Sequence, residues 1–145
     1  MSLPWYVAAL GAAVVWGIHY PLIDFALKRL SLVTVLVITA LPLLLAVPFY
    51  HRTLAADFAS FRALPWDERI PILALAFTSL AGAVLLFLSI SGKNATLAAL
   101  IEISYPVFVA LFAWLLFREV HWDYSVAAGA ALVFAGVALI IWHNP

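Results

Sequence analysis

The chain has 145 residues, of which 68% are hydrophobic and 10% charged, with a mean hydropathy of +1.16 and a formal net charge of zero. A water-soluble domain carries about 45–50% apolar and roughly 25% charged residues, and leaves roughly 30% of its chain surface in water. This composition therefore excludes a soluble enzyme, a nucleic-acid binder and a disordered tail, and places the chain in a bilayer.

Crossing a hydrocarbon core of about 30 Å takes about 20 mostly apolar residues in a helix. The charged residues divide the chain into five such stretches. A β-barrel would alternate apolar and polar residues over about 10 positions, and these runs do not alternate. The sequence predicts an all-α integral membrane protein forming a single five-helix domain over residues 1–145. Met1 to Trp5 carry no basic side chain, so the first apolar segment is expected to stay in the mature protein rather than be cleaved as a signal.

Helix 1 is expected over about 4–25, ending before Lys28 and Arg29. It carries Trp16, Gly17, Ile18, His19, Tyr20 and Pro21 in succession. Trp16, His19 and Tyr20 stand at i, i+3 and i+4 and share one face. Gly17 and Pro21 are expected to weaken or kink the helix, exposing backbone groups to a ligand. His19 reads either as a proton carrier or ligand contact, or as a histidine hydrogen-bonded to a neighbouring helix. Asp24 and Lys28, at i and i+4, read as a local ion pair.

Helix 2 is expected over 32–50. The long connection from His51 to Arg69 repeats Leu54, Phe58 and Phe61 at helical spacing, with Asp57, Ser60 and Arg62 between them. Two readings stand side by side here: a short interfacial helix with Trp66 as an aromatic anchor, or a polar loop with scattered aromatics. Helix 3 is expected over 70–90, stopping at Ser91, Gly92, Lys93 and Asn94.

Helix 4 is expected over 95–117 and contains Glu102 about two turns from its start. A charge at the bilayer centre costs about 2.5–3.5 kcal/mol on insertion scales, so such a residue faces a cavity or a partner. Tyr105 and Pro106 follow at i+3 and i+4, on the same side of a regular helix. Pro106 has no N–H, frees the carbonyl near residue 102 and is expected to kink the helix. A carboxyl in this polar notch can exchange a proton for a substrate; its other reading is a structural pair with Lys93 or His19. Asn94-Ala95-Thr96 matches a glycosylation sequon, a weak signal on its own.

Helix 5 is expected over 124–142. His51, His121 and His143 lie at helix ends without metal-ligand spacing. Cysteine is absent, so disulfides and thiolate chemistry are excluded. Neither a GxxxxGK[ST] nor a GxGxxG run occurs, so neither an ATP-driven pump nor a dinucleotide enzyme is supported. No cofactor, no metal and no nucleic acid is expected.

Five spans put the termini on opposite sides of the membrane. Lys28, Arg29 and Lys93 then share one side, and Arg52, Arg62, Arg69 and Arg118 the other. Orientation follows a clear Lys/Arg excess, and three against four is nearly even. Either the three arginines of the 51–69 connection hold it in the cytoplasm, or the chain inserts both ways and opposite copies pair. Small residues spaced by four, Ala9-Ala13-Gly17, Ser79-Ala83, Ser125-Gly129 and Ala127-Ala131-Ala135, are expected to let helices approach closely, within the chain or between copies.

Taken together, several segments resemble the EamA-type repeat of the drug/metabolite transporter superfamily. Trp16-Gly17 looks like the opening of that repeat. Ala98-Ala99-Leu100, Pro106-Val107-Phe108, Ala113-Trp114-Leu115-Leu116 and Glu119 resemble its fourth helix and terminal glutamate. Gly129-Ala130-Ala131-Leu132 and Ala135-Gly136-Val137 resemble its fifth. The resemblance covers nearly the whole chain. It implies one half of an inverted-repeat transporter fold, since most members carry two five-helix repeats and export amino acids or other small metabolites. A two-chain assembly, an antiparallel homodimer with inverted subunits, is then expected. The family often has an acidic residue immediately before the helix-4 proline, where this chain has Tyr105. The four-helix multidrug relatives use a glutamate in the middle of helix 1, where this chain has His19.

The expected activity is export of a small organic metabolite or drug across the cell (inner) membrane by alternating access, without enzymatic chemistry. Trp16, His19, Tyr20, Glu102 and Tyr105 are the candidate substrate contacts, with Glu102 and His19 the candidates for proton coupling. The alternative from another class is a non-transporting membrane subunit that packs with a larger paralogous transporter.

Overall fold

The structure is a computed structural model and describes residues 4–120 and 123–144; His121 lies outside them. Among the described residues, seven α-helices follow in order: α1 (Trp5–Leu27), α2 (Leu32–Ala46), α3 (His51–Ala63), α4 (Trp66–Gly92), α5 (Ala95–Glu102), α6 (Tyr105–Phe117) and α7 (Tyr124–His143). A 3-10 turn, Val47–Tyr50, joins α2 to α3. No strand occurs among the described residues. Five helical stretches are long and apolar enough to cross a membrane: Tyr6–Leu27, Leu32–Ala63, Trp66–Gly92, Ala95–Phe117 and Tyr124–His143. The protein is a five-helix membrane unit.

Local chemistry sets the helix starts. The Ser31 hydroxyl accepts the Thr34 N–H at 3.3 Å, the Asn94 carboxamide the Leu97 N–H at 2.9 Å, and the Asp123 carboxylate the Val126 N–H at 2.8 Å. Each satisfies one of the orphan donors of a first turn. The sequon asparagine, Asn94, is thus the cap of α5. α4 begins at Trp66, four residues before the apolar run. The carbonyl of Pro65 takes the N–H groups of Glu68 and Arg69, and Asp67 with Glu68 complements the positive end of the helix dipole.

Packing falls into two units. In the first, Leu22–Gly92, α2 packs on α4 and buries Val35, Phe87 and Ile90, with Ile23 from the end of α1 also buried. In the second, Met1–Pro21 with Lys93–Pro145, α5 packs on α7, and Ala95, Ala98 and Ala110 are buried. Most large apolar side chains face outward, which in water would be ruinous and in lipid is neutral, because acyl chains are as apolar as leucine. The tight contacts use the alanines of α5 and α6. Of the expected small-residue ladders of α1 and α7, Gly17 and Gly129 have no neighbouring atom within 4 Å of where a Cβ would stand.

Within the expected fourth span, Ala95–Phe117, the helix divides at Ile103 and Ser104, beside Pro106, into α5 and α6. In contrast, α1 runs as one helix from Trp5 to Leu27 with Gly17 and Pro21 inside it. Proline is tolerated there because neighbouring groups in a membrane helix can satisfy the freed carbonyl. The 51–69 connection, left between helix and loop by its sequence, forms helix α3.

Candidate transport site

The division of helix 4 is built from four consecutive residues. The Ile103 N–H reaches the Ala99 carbonyl at 3.1 Å, a normal α-helical bond, but the Ser104 N–H turns to the Ile101 carbonyl at 3.2 Å. Backbone ψ angles of −10° and −15° at Ile103 and Ser104 mark this tightening. The Ser104 hydroxyl donates to the same Ile101 carbonyl at 2.9 Å. Pro106 then sits in the first turn of α6, where it cannot return an N–H to the carbonyl of Glu102. A serine that supplies a side-chain donor and a proline that withholds a backbone one together end α5 and restart the chain as α6.

Glu102 is the last residue of α5 and is part-buried. A carboxylate there lies against the negative end of the helix dipole, an unfavourable place for it. Among the described residues it makes no ion pair; neither Lys93 nor His19 pairs with it. Tyr105, 59% exposed, opens α6. The same-face rule that joined Glu102, Tyr105 and Pro106 assumes an unbroken helix.

The aromatic face of α1 forms as its spacing predicts. The Trp16 ring meets His19 edge-on at 5.2 Å between centroids and Tyr20 at 6.0 Å, with interplanar angles of 79° and 72°. Edge-to-face pairs at this separation align the positive rim of one ring with the negative face of another. Trp16 is 53% exposed, whereas His19 and Tyr20 are part-buried. The cluster thus offers an outward indole backed by two polar-tipped rings. Gly17 beside it leaves the helix surface bare.

Several other polar residues serve helix ends. Asp24 and Lys28 form the expected pair at 2.6 Å. Arg29 donates to the Phe25 carbonyl at 2.8 Å and lies 3.5 Å above the Phe25 ring, closing the C-terminus of α1. The imidazoles of His51 and His143 bond the carbonyls of Pro48 and Leu139 within their own segments. No cluster of acidic and histidine side chains suited to a metal occurs among the described residues. Sequence reasoning missed Ser104, whose only outward sign is its place just before Tyr-Pro. It also missed the edge-on contact of Phe108 with Phe134, at 6.2 Å, which ties α6 to α7.

A sequence model of the EamA-like transporter family matches residues 3–142. No curated protein and no solved structure matches the chain. With that match running through all five spans, the chain belongs to the EamA-like transporter family.

Proposed function

We propose that this protein is an exporter of small organic metabolites, working by alternating access in the cell membrane as a single five-helix domain. The observation that carries the reading is the divided fourth span, with Glu102 ending α5 and no ion partner for it among the described residues. Transporters place substrate and coupling-ion sites where spanning helices are discontinuous, because half-helix ends supply dipoles and freed backbone groups. A carboxyl there can release a proton on one side of the membrane and bind it on the other. Glu102 is the coupling group, His19 a second candidate, and Trp16, Tyr20 and Tyr105 give the substrate site an aromatic lining. Such a lining suits an amphipathic or aromatic substrate. The near-even cations of the two sides and the bare small-residue faces of α1 and α7 favour an antiparallel homodimer.

The test is uptake of a panel of aromatic and amphipathic metabolites into proteoliposomes carrying an imposed pH gradient. Wild type is expected to respond to the gradient, and Glu102→Gln to transport without responding to it. Equal pH dependence in both proteins would remove Glu102 from the mechanism. Tags at each terminus in intact cells are expected to be labelled from both sides; labelling from one side alone would sink the inverted homodimer.

A further inference from the structure

We infer that α3 is an interfacial helix lying flat on the lipid headgroup layer, with Leu54 and Phe58 set among the acyl chains. The argument begins with length. The 15 residues of α2 rise about 22 Å, and the four of the 3-10 turn about 8 Å more. Together they match the hydrocarbon thickness of about 30 Å. The chain therefore reaches the membrane surface at Tyr50, where α3 begins.

The other end of α3 is held to the start of α4. Arg69, in the first turn of α4, reaches back to α3: its Nε donates to the Leu64 carbonyl at 2.6 Å and its Nη2 to the Arg62 carbonyl at 2.5 Å. Arg69 immediately precedes Ile70, where the apolar run of α4 enters the membrane. A helix of 13 residues is about 20 Å long. Standing upright, α3 would lift this clamp, and with it Ile70, Ile72 and Leu73, far out of the hydrocarbon. Lying flat, it leaves them in place.

The side chains suit that position. Leu54, Phe58 and Phe61 form one stripe, and Leu54 and Phe58 are 47% and 55% exposed. Ala56 and Ser60 lie on the opposite side. Arg62 lies 4.6 Å over the Phe58 ring, and Arg69 4.9 Å over Trp66, which is itself exposed. Long cationic side chains that lay their stems on aromatic rings keep their charge at headgroup level while the rings go deeper. Residues 51–69 carry three arginines against Asp57, Asp67 and Glu68, a balance of zero. The attraction is thus apolar burial, and it does not select anionic lipid.

The chain contains no cysteine, so single cysteines can be introduced at Leu54, Ala56, Phe58 and Ser60 of the full-length protein without a background. Each is spin-labelled in proteoliposomes of phosphatidylcholine, with and without phosphatidylglycerol, and its collisions with oxygen and with a water-soluble nickel chelate are compared. Positions 54 and 58 are expected to favour oxygen and positions 56 and 60 the chelate, with the ratio inverting severalfold between faces and unchanged by phosphatidylglycerol. Chelate access at all four positions would show a helix standing in water and overturn the inference. Exclusion of both reagents at 54 and 58 would show protein covering the stripe, such as a second copy, and would overturn it as well. Neither result bears on the transport mechanism, since none of the labelled residues is among those proposed for the site.

Discussion

The carbonyl of Ile101 accepts two hydrogen bonds from Ser104, one from its backbone N–H at 3.2 Å and one from its hydroxyl at 2.9 Å. One residue thus claims both lone pairs of the acceptor that a continuous helix would offer to Tyr105. This double bond holds the turn between α5 and α6, and with it the end of the helix that presents Glu102. Ser104→Ala removes one of the two bonds. It is expected to lower stability in detergent by about 1 kcal/mol and to reduce transport. Ser104→Thr, which keeps the donor, should retain both properties.

Pro106 acts in the opposite sense. Pro106→Ala supplies the N–H that can close the ladder onto the Glu102 carbonyl. Helicity by circular dichroism and thermal stability should rise, the latter by about 1 kcal/mol, while transport slows. A variant that transports normally while gaining helix would show that the break is dispensable.

Trp16 organises the aromatic face of α1. Edge-to-face pairs contribute about 0.5–1.5 kcal/mol beyond area burial, so loss of the Trp16 ring releases His19 and Tyr20 together. Trp16→Ala should weaken binding of an aromatic substrate by up to about tenfold, whereas Trp16→Phe should keep most of the affinity. Isothermal titration or a ligand-dependent thermal shift in detergent would measure the difference.

Arg118 is the described non-glycine residue with positive φ, at φ 60° and ψ 22°. It closes α6: its N–H bonds the Trp114 carbonyl at 3.0 Å, and the next N–H, of Glu119, bonds Ala113 at 3.2 Å. Glycine is the usual residue here because a Cβ in the left-handed region costs about 1–2 kcal/mol. Arg118→Gly should therefore raise the melting temperature, while Arg118→Val should lower it. Glu119, the terminal glutamate of the resemblance, owes its position to this same turn.

Asp123 caps α7, and bonds from the Ser125 hydroxyl and the Val126 N–H hold its carboxyl below the ordinary carboxylate value. A group with a lowered folded value contributes stability above the unfolded value, about 4, and loses it as pH falls through the folded one. Wild type should melt above Asp123→Ala by a constant margin near neutral pH. That margin should shrink on acidification below about pH 4. A margin that grows in acid would contradict the capping role.

Part of the local geometry of the candidate site was legible. The stacking of Trp16 with His19 and Tyr20 follows from spacing alone, because a helix places i, i+3 and i+4 on one face whatever surrounds it. Glu102 stood out because charge is scarce in a span. The break beside it was half visible: Pro106 announced a lost donor, but Ser104, which completes the turn, looks like any serine. Gly17 and Pro21 lie inside α1, which runs on as one helix past both. A proline states which hydrogen bond is missing, and its neighbours decide whether the ladder ends there.

The sequence by itself determined the solvent and the count of spans, since transfer of apolar groups into lipid depends on composition over about 20 residues and not on any contact. It also determined the caps at Ser31, Asn94 and Asp123, which are local chemistry. Only the tertiary structure decided that α2 packs on α4 and α5 on α7, that alanines of α5 and α6 rather than the glycine ladders make the close contacts, and that Arg69 returns to the end of α3. In lipid nearly every face of these helices is equally apolar, so hydropathy ranks none of them as a contact. Shape and a few polar reaches across the chain make that choice.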